Sequence, residues 1–135
     1  MAVRFDRSII GSEFDHTVQD PVTQQDIDEY VAVAGEPSPA AGTAPPTFVV
    51  SLRSKHFLPA NMPKDLGRSG FDAGKDIEFG VPIRVGDVLT TISTLHDIYE
   101  KTGRTGTMAF MVLRTVVTNQ RNEPVAVIDQ KMMFR

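Results

Sequence analysis

Apolar and polar positions divide the chain into a helical opening and a long strand-rich remainder. Val22-Thr23-Gln24-Gln25-Asp26-Ile27 reads as a helix start. Thr23 is placed to cap it, and Asp26 supplies the acid of a capping box while suiting the positive end of the helix dipole. Ile27, Tyr30, Val31 and Ala34 follow at helical spacing, and Gly35 offers the stop. The stretch from Glu36 to Pro46 is too rich in proline and glycine to be regular. Thr47-Phe48-Val49-Val50-Ser51-Leu52 is a second, more apolar segment. Pro46 near its first turn and the basic end at Arg53 and Lys55 favour a short central helix, with His56 closing it. The β-branched pair Val49-Val50 leaves a strand open there. Residues from Leu58 to Gly70 read as an irregular surface loop.

Sheet is expected from Phe71 onward. Asp76-Ile77-Glu78-Phe79 alternates and ends at Gly80, and Gly86-Asp87 leads into a strand from Val88 to about Tyr99. Lys101 to Thr107, with two glycines, reads as a hairpin connection. In the strand from Met108 to Thr118, Met108, Phe110 and Val112 share one face, and Ala109, Met111 and Leu113 share the other. Apolar side chains on both faces imply that something covers the outer one. A turn at Asn119 to Pro124 precedes a last strand from Val125 to Phe134. Long meandering strands after one apolar helix predict an α+β fold in which a curved antiparallel sheet wraps that helix, with residues 1–135 forming one domain.

Composition narrows the function classes. The net charge of −3 across 135 residues gives no basic face for nucleic acid. No apolar run approaches the roughly 20 residues that span a bilayer, so no membrane is expected. Charges interrupt Met1-Ala2-Val3-Arg4-Phe5-Asp6 at once, against a secretion signal. Cysteine is absent, which removes thiolate catalysis and cysteine metal sites and makes a reducing cytoplasm the default compartment. The three histidines, His16, His56 and His96, are scattered, and no metal or other cofactor is expected.

Ala44-Pro45-Pro46-Thr47-Phe48, Pro82-Ile83-Arg84-Val85-Gly86-Asp87-Val88-Leu89 and Asp97 to Gly106 (D-I-Y-E-K-T-G-R-T-G) together resemble the MaoC-like dehydratases of the hotdog superfamily. The opening from Thr23 to Pro39 fits the same family's first helix and following loop. The resemblance is nearest to the N-terminal half of double-hotdog enzymes and to the non-catalytic subunit of heteromeric ones. It implies a hotdog fold, a five-stranded antiparallel sheet around one helix, pairing as a dimer with acyl-thioester tunnels at the interface. The implied chemistry is reversible hydration of a 2-enoyl thioester carried on coenzyme A or acyl carrier protein. That reaction needs an acid/base group to deprotonate water for attack at C3, and N–H donors to polarise the thioester carbonyl.

Active members of the family carry that acid/base pair as G-D-x-N-P-x-H after the first helix. Here the loop reads Gly35-Glu36-Pro37-Ser38-Pro39-Ala40-Ala41. Glu36 stands at the aspartate, Ser38 at the asparagine and Ala41 at the histidine, and alanine transfers no proton. Glu36 has two readings: a lone base in an apolar pocket, or a helix-end residue in contact with water. His56 has two as well, a replacement acid/base or a cation at a helix C-terminus. For substrate binding, the resemblance directs attention to Thr47 and Phe48 at the start of the central helix. Lys101 and Arg104 in the hairpin are placed either to meet coenzyme A phosphates or to serve as ordinary surface charges.

Three functions compete. In the first, the chain is the non-catalytic partner in a heterodimer with a catalytic MaoC-like subunit. In the second, it is a self-sufficient homodimeric hydratase or thioesterase using Glu36 or His56. In the third, it is a non-enzymatic acyl-CoA-binding hotdog.

Overall fold

A computed structural model of the chain describes residues 7–60, 62, 69–104 and 106–135. Most of the loop expected between Leu58 and Gly70, and the opening Met1 to Asp6, lie outside them. Helix α1 spans Gln24–Ala34 with both caps where the spacing puts them. The Asp26 N–H donates to Thr23 Oγ1 at 3.0 Å, and the Thr23 N–H donates back to Asp26 Oδ2 at 3.0 Å. Gly35 stops the helix in the left-handed region, at φ 71°, where a side chain would be strained. Ile27 is the helix's one fully buried residue, and Val33 stands 90% exposed, so α1 lies against the body rather than inside it.

Five strands follow: β1 (Glu13–Val18), β2 (Gly70–Phe79), β3 (Thr90–Gly103), β4 (Gly106–Thr118) and β5 (Pro124–Phe134). They form one antiparallel sheet in the order β1-β3-β4-β5-β2. The expected facing of β4 holds, because Ala109, Met111 and Leu113 are buried while Phe110 and Val112 are half-buried on the other side. The β3–β4 connection is tighter than its two glycines suggested. Gly103 pairs with Gly106, so the ladder continues through Lys101 and Thr107 to that pair. At His96 the register shifts between Leu95 and Asp97, a bulge that lets both Leu95 and Ile98 point inward.

The core has two parts. One gathers Ile27, Phe48, Val49, Leu89, Val117 and Val125, and the other Leu95, Ile98, Ala109, Met111 and Leu113. Phe48 and Val49 come from the central helix, which is a 3-10 helix over Pro46–Ser51 with proline in its first turn. It ends before Arg53, so the helix expected to reach Lys55 and His56 is shorter than predicted. Strand β1 accounts for this. Gln19 Nε2 donates to the Arg53 carbonyl at 2.7 Å, the Lys55 N–H donates to Thr17 Oγ1 at 3.3 Å, and the His56 N–H donates to Asp15 Oδ1 at 2.9 Å. These bonds hold the chain extended along the strand.

The motif Val85-Gly86-Asp87 has a structural explanation. Gly86 sits at φ 91° and its N–H donates to the Val22 carbonyl at 2.7 Å. Asp87, only 4% exposed, accepts from the Arg84 N–H and from Gln120 Nε2, both at 2.9 Å, joining this turn to the one between β4 and β5.

Candidate functional site

The proline-rich loop after α1 is ordered by pairing. Thr43 bridges to both Ala40 and Arg84, the Ala44 N–H donates to the Ile83 carbonyl at 2.9 Å, and the Val85 N–H donates to the Gly42 carbonyl at 2.9 Å. Within it Glu36 is half-buried and accepts a hydrogen bond from the Thr47 hydroxyl. Thr47 Oγ1 in turn accepts from the Tyr30 hydroxyl at 2.6 Å. Tyr30 also meets the Phe48 ring edge-on, with centroids 5.6 Å apart and planes at 78°. Helix, loop and central helix are thus tied by one relay, Tyr30 to Thr47 to Glu36.

Of the motif positions, the structure brings Glu36 to Thr47 and leaves Ser38 and Ala41 exposed. Beside them lies a cavity of about 400 Å³ walled by Pro39, Ala40, Pro46, Val49, Val81 and Ile83, among others. Among the described residues, its side chains able to hydrogen-bond are Thr43 and Arg84, and no carboxylate or imidazole lines it. It can hold an apolar group. A second cavity of about 200 Å³ opens on the inner face of the sheet, beyond the end of the central helix, between Val49, Leu52, Val117 and Ile128.

His56, expected at a helix end, lies exposed in the extended segment, fixed through its amide and not its ring. His16 is on edge strand β1, 3.8 Å from Glu13. No cluster that could hold a metal occurs among the described residues. Lys101 and Arg104 are exposed at the β3–β4 tip. Lys101 Nζ lies 5.8 Å and 5.6 Å from the centroids of the stacked Tyr99 and Phe110 rings. The tip is at the far end of the ladder from Thr90 and Thr118, about 40 Å along the strands at ~3.3 Å per residue. Within one chain, Lys101 and Arg104 are therefore not brought together with Thr47 and Phe48.

Sequence reasoning missed Tyr30, Asp15 and the inward hydroxyls of Ser93 and Thr115. Tyr30 carried a signal, a phenol on the helix's apolar face that needs a partner when buried.

The model of the FAS1-like dehydratase domain region matches residues 8–128. The chain belongs to that family. No functionally curated protein is matched by its sequence. Among solved structures this dehydratase-region chain is similar to the ChsH1–ChsH2 complex of Mycobacterium tuberculosis, at 19% identity and TM-score 0.65, covering 91% of this chain and 82% of that one. It is similar to a MaoC-like dehydratase of Rhodospirillum rubrum at 21% identity and TM-score 0.62, covering 93% and 91%. The HadBC 3R-hydroxyacyl-ACP dehydratase complex of Mycobacterium tuberculosis follows at 16% identity and TM-score 0.58, covering 93% and 96%. The family match and the shared fold bear out the MaoC-like hotdog resemblance. No helix among the described residues is long and apolar enough to cross a membrane.

Proposed function

We propose that this chain is the non-catalytic subunit of a cytoplasmic 2-enoyl-thioester hydratase or 3-hydroxyacyl-thioester dehydratase, acting beside a MaoC-like subunit that supplies the aspartate and histidine. The observation that carries this reading is Ala41, exposed at the position of the family's histidine. Hydration moves a proton from water as its oxygen attacks C3, and a methyl side chain cannot take part. The cavity beside the loop supports the same reading, being apolar and, among the described residues, free of carboxylates and imidazoles. The short central helix leaves a second cavity on the inner face, suited to an acyl tail. Among the described residues the ladder of β2 is paired only to β5, which leaves its other edge for a partner's strand. In this reading Thr47 and Phe48 position the acyl group, and Lys101 and Arg104 meet a carrier's phosphates only from across a subunit boundary.

The test is hydration of a 2-enoyl-coenzyme A by the chain alone, by a MaoC-like subunit with an intact G-D-x-N-P-x-H loop, and by the two co-expressed. Activity confined to the co-purified complex is expected. Turnover by this chain alone would overturn the proposal.

A second reading, a self-sufficient enzyme with Glu36 as base, is favoured by the Tyr30–Thr47–Glu36 relay, which orients that carboxylate. It requires activity without a partner and its loss in Glu36→Gln. Binding of acyl-coenzyme A with no turnover under any partner would instead support a non-enzymatic binder.

A further inference from the structure

The inner face of the sheet is not uniformly apolar. β3 turns Thr91 and Ser93 inward ahead of Leu95, each 2% exposed. Ser93 pairs with Thr115 across the β3–β4 ladder, and their hydroxyl oxygens are 2.8 Å apart. On the neighbouring strand Gln130 lies opposite Leu113. These side chains stand between the two halves of the core and line the smaller cavity together with Leu52, Val117 and Ile128.

The hydrogen-bond count in this strip is uneven. Ser93 and Thr115 own two hydroxyl protons, and their mutual bond uses one. Neither has another partner among the described residues, so one O–H remains to be given. Gln130 spends its amide nitrogen on Asp72 Oδ1 at 2.7 Å and on the Gly74 and Lys131 carbonyls at 3.2 Å, which leaves its carbonyl oxygen as an acceptor. Ser54, His56, Lys75 and Thr91 also reach this wall, and the strip between the two core clusters adds one donor and one acceptor to it. A plain alkyl group would leave both unmet, at a cost of about 1 kcal/mol or more each. Valine at 93 and 115 would have joined the two core clusters without that cost.

We infer that this cavity takes an acyl group bearing an oxygen substituent, a hydroxyl or a ketone, remote from its thioester. The inference rests on the thioester-holding reading above. A cavity of about 150 Å³ accepts a benzene ring, so about 200 Å³ has room for one six-membered ring with a single substituent. A ketone accepts the spare O–H; a hydroxyl also donates to the Gln130 carbonyl.

The test uses probes that carry no thioester. Cyclohexanol, cyclohexanone and methylcyclohexane are titrated into the full chain by ligand-observed NMR, in the wild type, in Ser93→Ala/Thr115→Val and in Thr115→Ser. The affinity of cyclohexanol relative to methylcyclohexane should fall about five-fold in the double variant, the worth of one hydrogen bond. Thr115→Ser, which keeps a hydroxyl, should retain the wild-type ratio. Should the double variant not fold, Thr115→Val alone supplies the comparison. An unchanged ratio, or no binding of either oxygenated ring, would overturn the inference. Hexanoyl-coenzyme A titrated in parallel into the co-purified complex with the MaoC-like subunit separates the two claims. If it fails to bind while the rings behave as stated, the thioester reading falls and the polar cavity stands.

Discussion

Arg114 grips Asp129 across the β4–β5 ladder with two parallel bonds, Nε to Oδ1 and Nη2 to Oδ2, each 2.8 Å. The bonds from Arg114 hold the Asp129 carboxyl below its ordinary value, outweighing partial burial, with the charges of Arg114 and His96 adding to the effect. A carboxyl depressed in the folded state stabilises the fold fully above its unfolded pKa of about 4 and loses that contribution as pH falls through the lowered value. Asp129→Asn should therefore flatten part of the acid limb of stability below about pH 4. Urea midpoints measured across pH 2–7 check it. Identical pH profiles for variant and wild type would count against the pair.

Asp15 is 3% exposed and accepts from both the His56 N–H and the Thr17 hydroxyl. Truncation in Asp15→Ala strands both donors, at about 3 kcal/mol in total. The same change should release the segment after the central helix. Amide exchange at His56 is the sharper readout, and protection there unchanged from wild type would show that β1 does not hold the segment.

The relay through Thr47 predicts non-additivity. Tyr30→Phe and Thr47→Val should each destabilise by about 1 kcal/mol, and the double variant by less than their sum. A double-mutant cycle in guanidinium gives the coupling. Strict additivity would mean that the three groups do not act as one network.

Asp87 joins two turns that are distant in sequence. Asp87→Ala should cost about 2 kcal/mol and lower the melting temperature, and Gln120→Ala, which removes its bond to Asp87 and the acceptor of the Val88 N–H, should cost a similar amount. A double variant that costs the full sum would show that the two side chains share no bond.

Much of this architecture was legible in the sequence because it is set locally. Thr23, Asp26 and Gly35 fix α1 through bonds that span three or four residues, and the alternation in β4 sorts its faces correctly. What could not be read depends on distant partners. The central helix ends early because Gln19, Thr17 and Asp15 capture backbone groups more than thirty residues away in the chain. The inward Thr91 and Ser93 carry no apolar signal, and a reading by hydrophobicity would have turned Ile92 inward instead. At the site, the reading of Ala41 at the family's histidine rests on the resemblance alone. The partnership of Glu36 with Thr47 and Tyr30 needed three segments in space.

Strand β2 presents ten residues, nearly all exposed, along the rim of the sheet. Unpaired backbone of that length is a template for any extended chain that meets it, including other copies newly made. Free chain in excess is thus exposed to edge-to-edge association along one strand, and the crowding of new synthesis is where that exposure is felt first.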